Sequence, residues 1–119
     1  MAFKTASDLI AEAKAKIKEV HVAEARELLG APGVIFLDCR EPNEYNLGRI
    51  PGSVFIPRGQ LETNIEARID RGQRVVIYCA SGNRSAFAAV TMAEMGYGDV
   101  CSLAEGFRGW AQQGGPVEG

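Results

Sequence analysis

The run Arg74-Val75-Val76-Ile77-Tyr78, followed by Cys-Ala-Ser-Gly-Asn-Arg-Ser and then a helical stretch, constrains the fold of this chain more than any other feature. That run predicts a strand, and the uninterrupted apolar run from Val34 to Leu37 predicts one covered on both faces, the pattern of a parallel sheet. The following stretch, Ser85 to Met95, predicts a helix that stops at Gly96. Strands that alternate with helices imply an α/β domain with a mostly parallel sheet and right-handed crossovers.

The remaining segments fit that plan. Leu9, Ile10, Ala13 and Ile17 predict an amphipathic helix from Ser7 to about Lys16, with Ser7 or Asp8 as its N-cap. An extended piece, Ile17 to Val20, precedes a second helix, Val22 to Leu29, stopped by Gly30 to Gly33. Asn43 to Ser53 carries Pro, Asn and Gly punctuation nearby and predicts a loop or short helical turn, and Val54 to Ile56 a brief strand ended by Pro57. Gln60 to Arg71 predicts a helix with a Leu61, Ile65, Ile69 stripe. Val100 to Leu103 is the last expected strand, and Phe107 to Gln113 a closing helix.

At 119 residues the chain has the length of one domain. A formal net charge of −2 leaves no broad basic field, which argues against nucleic acid or an anionic membrane as the principal partner. Lys14, Lys16 and Lys18 break up the first apolar stretch, and no segment is long enough to span a bilayer, so a cytoplasmic location is expected. The cysteines, Cys39, Cys79 and Cys101, form neither an even disulfide set nor a CxxC pair, and His21 is far from all of them. No metal site and no cofactor are expected. His21 suits a helix cap or the surface better than a base.

In open parallel sheets the ligand crevice lies beyond the carboxyl ends of the strands, where both Cys79 and the residues after Leu37 fall. The amides of Ala80 to Ser85 are the orphan donors of the following helix or its immediate approach, and they need an anion. With the helix dipole they favour a thiolate, and cysteines so placed have pKa values of about 3.5 to 7.5 instead of ~8.5. Gly82 permits a tight turn, and Asn83 is among the residues that tolerate a left-handed conformation. Arg84 offers a planar cation for two oxygens of an incoming oxyanion, and the Ser85 hydroxyl suits a helix cap or a donor to sulfur. The same loop also fits a plain turn with Cys79 buried beneath it and Arg84 solvated.

Five segments in order carry a resemblance: Leu37-Asp38-Cys39-Arg40-Glu41-Pro42, Gly48-Arg49-Ile50-Pro51-Gly52-Ser53, Ile56-Pro57-Arg58-Gly59, Cys79 to Ser85, and Leu103-Ala104-Glu105-Gly106-Phe107-Arg108-Gly109-Trp110. Together they resemble the successive motifs of the rhodanese family. The resemblance implies a rhodanese-like α/β fold, a mostly parallel five-stranded sheet with helices on both faces, over residues 17–119. Residues 1–16 are then an added N-terminal helical extension. It also implies sulfur transfer, in which Cys79 takes a sulfane sulfur from a donor such as thiosulfate as a persulfide and passes it to a thiophilic acceptor. That acceptor could be a protein thiol. A persulfide carrier or partner-docking module with little small-molecule turnover is the alternative. A related phosphatase group has five residues between its cysteine and arginine, whereas four separate Cys79 from Arg84, the spacing associated with sulfur.

Two positions depart from the family pattern: Arg49 stands where histidine is frequent, and Glu105 replaces the first glycine of a Gly-Gly pair. A carboxylate at the crevice mouth would oppose a dianionic donor. Cys39 and Cys101 are assigned to packing, with a resolving-thiol role toward Cys79 as the alternative for Cys39. Asp38 is expected to accept loop amides, and Arg40 to brace the loop through Glu41 or Glu44. Arg58 either adds positive potential near the site or is a surface arginine. Phe107 and Trp110 are expected to pack the closing helix onto the sheet, the alternative being a wall that shields the sulfur.

Overall fold

Parallel pairing of short apolar strands organises the chain, whose computed structural model describes residues 2–119. The strands are β1 (Lys18–Val20), β2 (Val34–Asp38), β3 (Val54–Phe55), β4 (Arg74–Tyr78) and β5 (Val100–Leu103). The helices are α1 (Ala6–Ala15), α2 (Val22–Leu28), α3 (Pro42–Leu47), α4 (Leu61–Arg68), α5 (Asn83–Glu94) and α6 (Gly106–Gln112), with a 3-10 turn at Arg58–Gln60 before α4. The sheet order is β1-β5-β4-β2-β3 and every strand pair is parallel. β4 therefore lies at the centre, and its carboxyl end is the place where neighbouring connections leave in opposite directions, the usual crevice of such sheets.

The period of two along β4 sorts its side chains between two cores. Val75, Ile77 and Cys79 face one cluster with Leu37, Cys39, Leu61, Ile65, Ala88, Ala89 and Met92, beneath α4 and α5. Val76 and Tyr78 face the other, with Phe36, Val22, Ala25, Leu103 and Trp110, beneath α2 and α6. Val75 to Tyr78 are fully buried, which accounts for the lack of polar alternation. Each such side chain contributes about 1.5–3 kcal/mol of transfer free energy. Trp110 is fully buried, with its indole N–H donated to the Pro116 carbonyl at 2.7 Å, so it is a packing residue of the α6 face.

Several boundaries differ from the sequence expectation. Thr5, not Ser7 or Asp8, caps α1: its Oγ1 accepts the Asp8 N–H at 3.1 Å while the Asp8 carboxylate accepts the Thr5 N–H at 2.9 Å. Asp8 is thus the third helical residue, in the first turn, and completes the cap. The Asn43–Ser53 stretch contains a real helix because Pro42 opens α3 and Glu41 and Glu44 form a reciprocal cap. α4 ends at Arg68, yet Ile69, extended at φ −137°, ψ 127°, still buries its side chain. α5 starts at Asn83, two positions before Ser85, so Asn83 is helical and Gly82 alone takes the left-handed turn (φ 93°).

The carboxyl end of β2 is tied down by an ion pair between fully buried Asp38 and Arg40, whose side chain is 5% exposed. Asp38 accepts the Arg40 backbone N–H at 2.9 Å and the guanidinium at 2.8–3.1 Å. Arg40 also donates to the Gly48 carbonyl and lies 4.3 Å from the centroid of the Phe107 ring. It thereby joins β2, the end of α3 and α6, rather than pairing with Glu41 or Glu44. Removing one member of a buried pair strands the other charge, at a cost of about 3–5 kcal/mol. Asp38→Ala should lose stability of that order in urea unfolding, and a loss below ~1 kcal/mol would show the pair to be dispensable.

Candidate active site

The Cys79 sulfur sits one residue past β4, at the mouth of the turn into α5. It accepts the N–H of Gly82 at 3.2 Å and of Ser85 at 3.3 Å, and the Ser85 hydroxyl lies at 3.5 Å. Ser85 is inside the first turn of α5 and does not cap it. Its Oγ is 2.8 Å from the Ser102 Oγ of β5, and both serines are fully buried. Ser102 can donate to Ser85 while Ser85 donates to a thiolate. No motif pointed to Ser102, although a serine within an otherwise apolar strand was a signal that it faces something polar.

The first two carbonyls of the loop are claimed from outside, which sets the direction of the Ala80 and Ser81 amides. α6 presents its first free N–H groups to those carbonyls: Phe107 donates to the Cys79 carbonyl at 2.7 Å and Arg108 to the Ala80 carbonyl at 3.1 Å. The approach is too close for side chains. A Cβ at Gly82 would lie 2.4 Å from the Ala104 carbonyl oxygen, and one at Gly106 (φ 65°) 2.4 Å from that of Ala80. Ala80 and Ser81 thus serve through their backbones.

These donors, set against burial, push the Cys79 thiol down to about 4. The Cys39 thiol makes the largest contribution, followed on the lowering side by the Ser85 hydroxyl and the loop amides. Cys39 itself is raised, because hydrogen bonding to Cys79 and burial both favour its protonated form. Cys101 lies on β5 with its side chain toward the opposite face, and burial raises it as well.

Arg84 is not free. Its guanidinium holds the Glu44 carboxylate through two bonds of 2.9 and 3.1 Å, across from α3. Arg84 drives the Glu44 carboxyl below the usual carboxylate range, and Glu44 also accepts the Glu41 N–H. No sequence signal linked positions forty residues apart. Arg84 is 40% exposed and Glu44 29%, and a pair this solvated is worth about 0–1 kcal/mol, which makes it displaceable.

Other candidates lie elsewhere. Arg58 pairs with Glu62 and reaches Thr91 in the last turns of α5, away from the loop at the helix start. Glu105 does not face the crevice mouth: it accepts the Val22 N–H at the start of α2 and the His21 ring at 2.7 Å. That removes the expected repulsion of an anionic donor. His21 occupies the N-cap position of α2 without a side-chain capping bond, and its pKa is raised by the Glu105 contact. Phe107 stacks on Tyr78 at 6.1 Å, packing α6 onto the sheet as expected.

Fold and site together define an α/β domain that holds a cysteine thiolate at the carboxyl end of its central parallel strand. A family model, the rhodanese-like domain, matches residues 21–113, and the chain belongs to that family. Thiosulfate sulfurtransferase GlpE of Pseudoalteromonas translucida (strain TAC 125) is 35% identical over 94 residues, covering 78% of this chain and 88% of the relative. The putative sulfur carrier protein YrkF of Bacillus subtilis (strain 168) is 39% identical over 74 residues, 62% of this chain but only 40% of that protein. Among solved structures, a protein of unknown function from Rhodopseudomonas palustris CGA009, called a possible tyrosine phosphatase, superimposes with a TM-score of 0.89 at 34% identity, over 99% of this chain and 97% of that one.

The sulfur environment makes a direct expectation. The thiolate's ultraviolet absorbance, taken as the difference between wild type and Cys79→Ser, should rise with a midpoint at a pH of about 4. A midpoint near the ordinary ~8.5 would mean that the loop amides do not hold an anion.

Proposed function

We propose that the chain is a sulfurtransferase whose nucleophile is Cys79. The observation that carries this reading is the Cys79 sulfur at the end of the central strand, receiving the Gly82 and Ser85 amides at 3.2 and 3.3 Å. Family membership and relatives named sulfurtransferase and sulfur carrier support it. Thiosulfate is the proposed donor. The thiolate attacks its sulfane sulfur, the donor's S–S bond breaks, and sulfite leaves with the bonding pair. The resulting Cys79 persulfide anion keeps the loop donors, so no general base is required. A thiophilic acceptor, such as cyanide in an assay or a thiol, then takes the outer sulfur.

Ala80, Ser81, Gly82, Asn83 and Ser85 form the cradle in this reading, with Asp38 and Arg40 bracing its base. Arg84 receives the donor's oxygens once Glu44 gives way. The solvated Arg84–Glu44 pair is worth only about 0–1 kcal/mol, so little holds Glu44 against an anion that the loop also binds. Arg58, turned toward Thr91, stays a distant contributor to potential at most.

A persulfide carrier that discharges to a protein thiol is a second reading. It is favoured by the occupied guanidinium of Arg84, which is not free for a small oxyanion donor. Phosphate ester hydrolysis fits less well, because the four-residue spacing from Cys79 to Arg84 gives a tighter loop than the resembling phosphatases have.

Thiocyanate formation from thiosulfate and cyanide should vanish in Cys79→Ser. Wild-type protein that takes up thiosulfate's sulfur yet discharges it only to protein thiols would favour the carrier, and one that never gains sulfur would defeat both readings. Glu44→Gln should lower the KM for thiosulfate several-fold by freeing Arg84, while Arg84→Ala should raise it about tenfold, the equivalent of ~1.4 kcal/mol. Equal KM values in all three proteins would remove Arg84 from the donor site. Loading should persist into mildly acidic solution and fail only as pH drops through about 4, where Cys79 protonates.

A further inference from the structure

We propose that Cys39 is a resolving thiol that attacks the inner sulfur of the Cys79 persulfide, closing a Cys39–Cys79 disulfide and expelling hydrosulfide. This rests on the reading of Cys79 as a persulfide carrier. The strands supply the geometry. β2 and β4 pair with Asp38 opposite Tyr78, and the Cys39 N–H continues the ladder to the Tyr78 carbonyl at 3.0 Å, which sets Cys39 beside Cys79. Neighbouring strands run about 4.8 Å apart, inside the ~4.4–6.8 Å span of Cα atoms joined by a disulfide.

Both side chains project to the same face, since Leu37 and Cys39 share the α4–α5 core with Ile77 and Cys79. Cys39 is fully buried, one strand over from the Cys79 loop. Besides the Cys79 sulfur it meets the Tyr78 carbonyl at 3.4 Å. Cys101 cannot substitute, because it aligns with Val76 and belongs to the opposite core.

The step balances without any added oxidant. The bond from Cys39 sulfur to Cys79 sulfur forms as the persulfide S–S bond breaks. The two cysteine sulfurs are oxidised to a disulfide, the sulfane sulfur is reduced to sulfide, and the Cys39 proton leaves with it as hydrosulfide. Hydrogen bonding to Cys79, with burial, keeps Cys39 protonated and therefore slow, so transfer to a ready acceptor comes first and resolution operates when acceptor is absent. A small thiol reductant entering at Cys79 restores both cysteines.

The test treats the full chain with thiosulfate without acceptor, quenches it in acid with excess alkylating reagent, and maps Cys39 and Cys79 peptides by mass spectrometry. Sulfide is trapped with monobromobimane. Wild type should yield linked Cys39 and Cys79 peptides, two hydrogens lighter than their sum, with about one sulfide per disulfide. Cys39→Ser, whose hydroxyl keeps a donor beside the Cys79 sulfur, should instead retain one extra sulfur on Cys79 and release no sulfide. Wild type that holds its extra sulfur as the variant does, unlinked, overturns the proposal and leaves the persulfide reading standing. If neither variant nor wild type gains sulfur or releases sulfide, the persulfide reading falls and this one falls with it.

Discussion

Everything at the carboxyl end of the sheet depends on α6 taking the carbonyls of Cys79 and Ala80. Those two bonds, at 2.7 and 3.1 Å, fix which way each peptide plane faces. With those two oxygens committed outward, the amide that shares a plane with the Ala80 carbonyl, that of Ser81, is left to the Cys79 sulfur. The arrangement tolerates no side chain at Gly82 or Gly106, where an added Cβ would meet carbonyl oxygen at 2.4 Å. Helix packing and anion are therefore coupled at Ser81 and at the two glycines, while the Gly82 and Ser85 amides reach the sulfur from the turn and from the first turn of α5.

Charge around the loop is graded by burial. The Asp38–Arg40 pair is buried, satisfied on every side and rigid, and it serves the frame. The Arg84–Glu44 pair is solvated and weak, so its partners can separate when a better anion arrives. Cys39 and Cys79 divide one environment unequally, with the proton held on Cys39 and the charge on Cys79.

Much of this was legible in order along the chain. β4 and β5 fall where their apolar runs predicted, and the Cys79-to-Ser85 motif announced a strand, a turn and a helix with donors at its start. The loop's claim on an anion needed only the orphan amides of a helix N-terminus. Partners distant in sequence were not legible. Glu44 filling the grip of Arg84, Ser102 behind Ser85, and Glu105 turning away to α2 all arise from contacts between elements. Asp38 and Arg40 were expected to support the loop through other partners, whereas the structure pairs them with each other and sets Arg40 against Gly48 and Phe107 from other elements.

The residues in order decided that parallel strands would form, that Cys79 would stand at a strand end, and that a glycine would follow it where only a left-handed turn connects to the helix. Periodicity and turn chemistry are local, and local rules suffice for them. The tertiary structure decided which face each cysteine shares and which cation is already paired. Strand register and helix docking set these, and they depend on distances between segments that no window of sequence contains. The pairing of β2 with β4 turned two separate cysteines into neighbours.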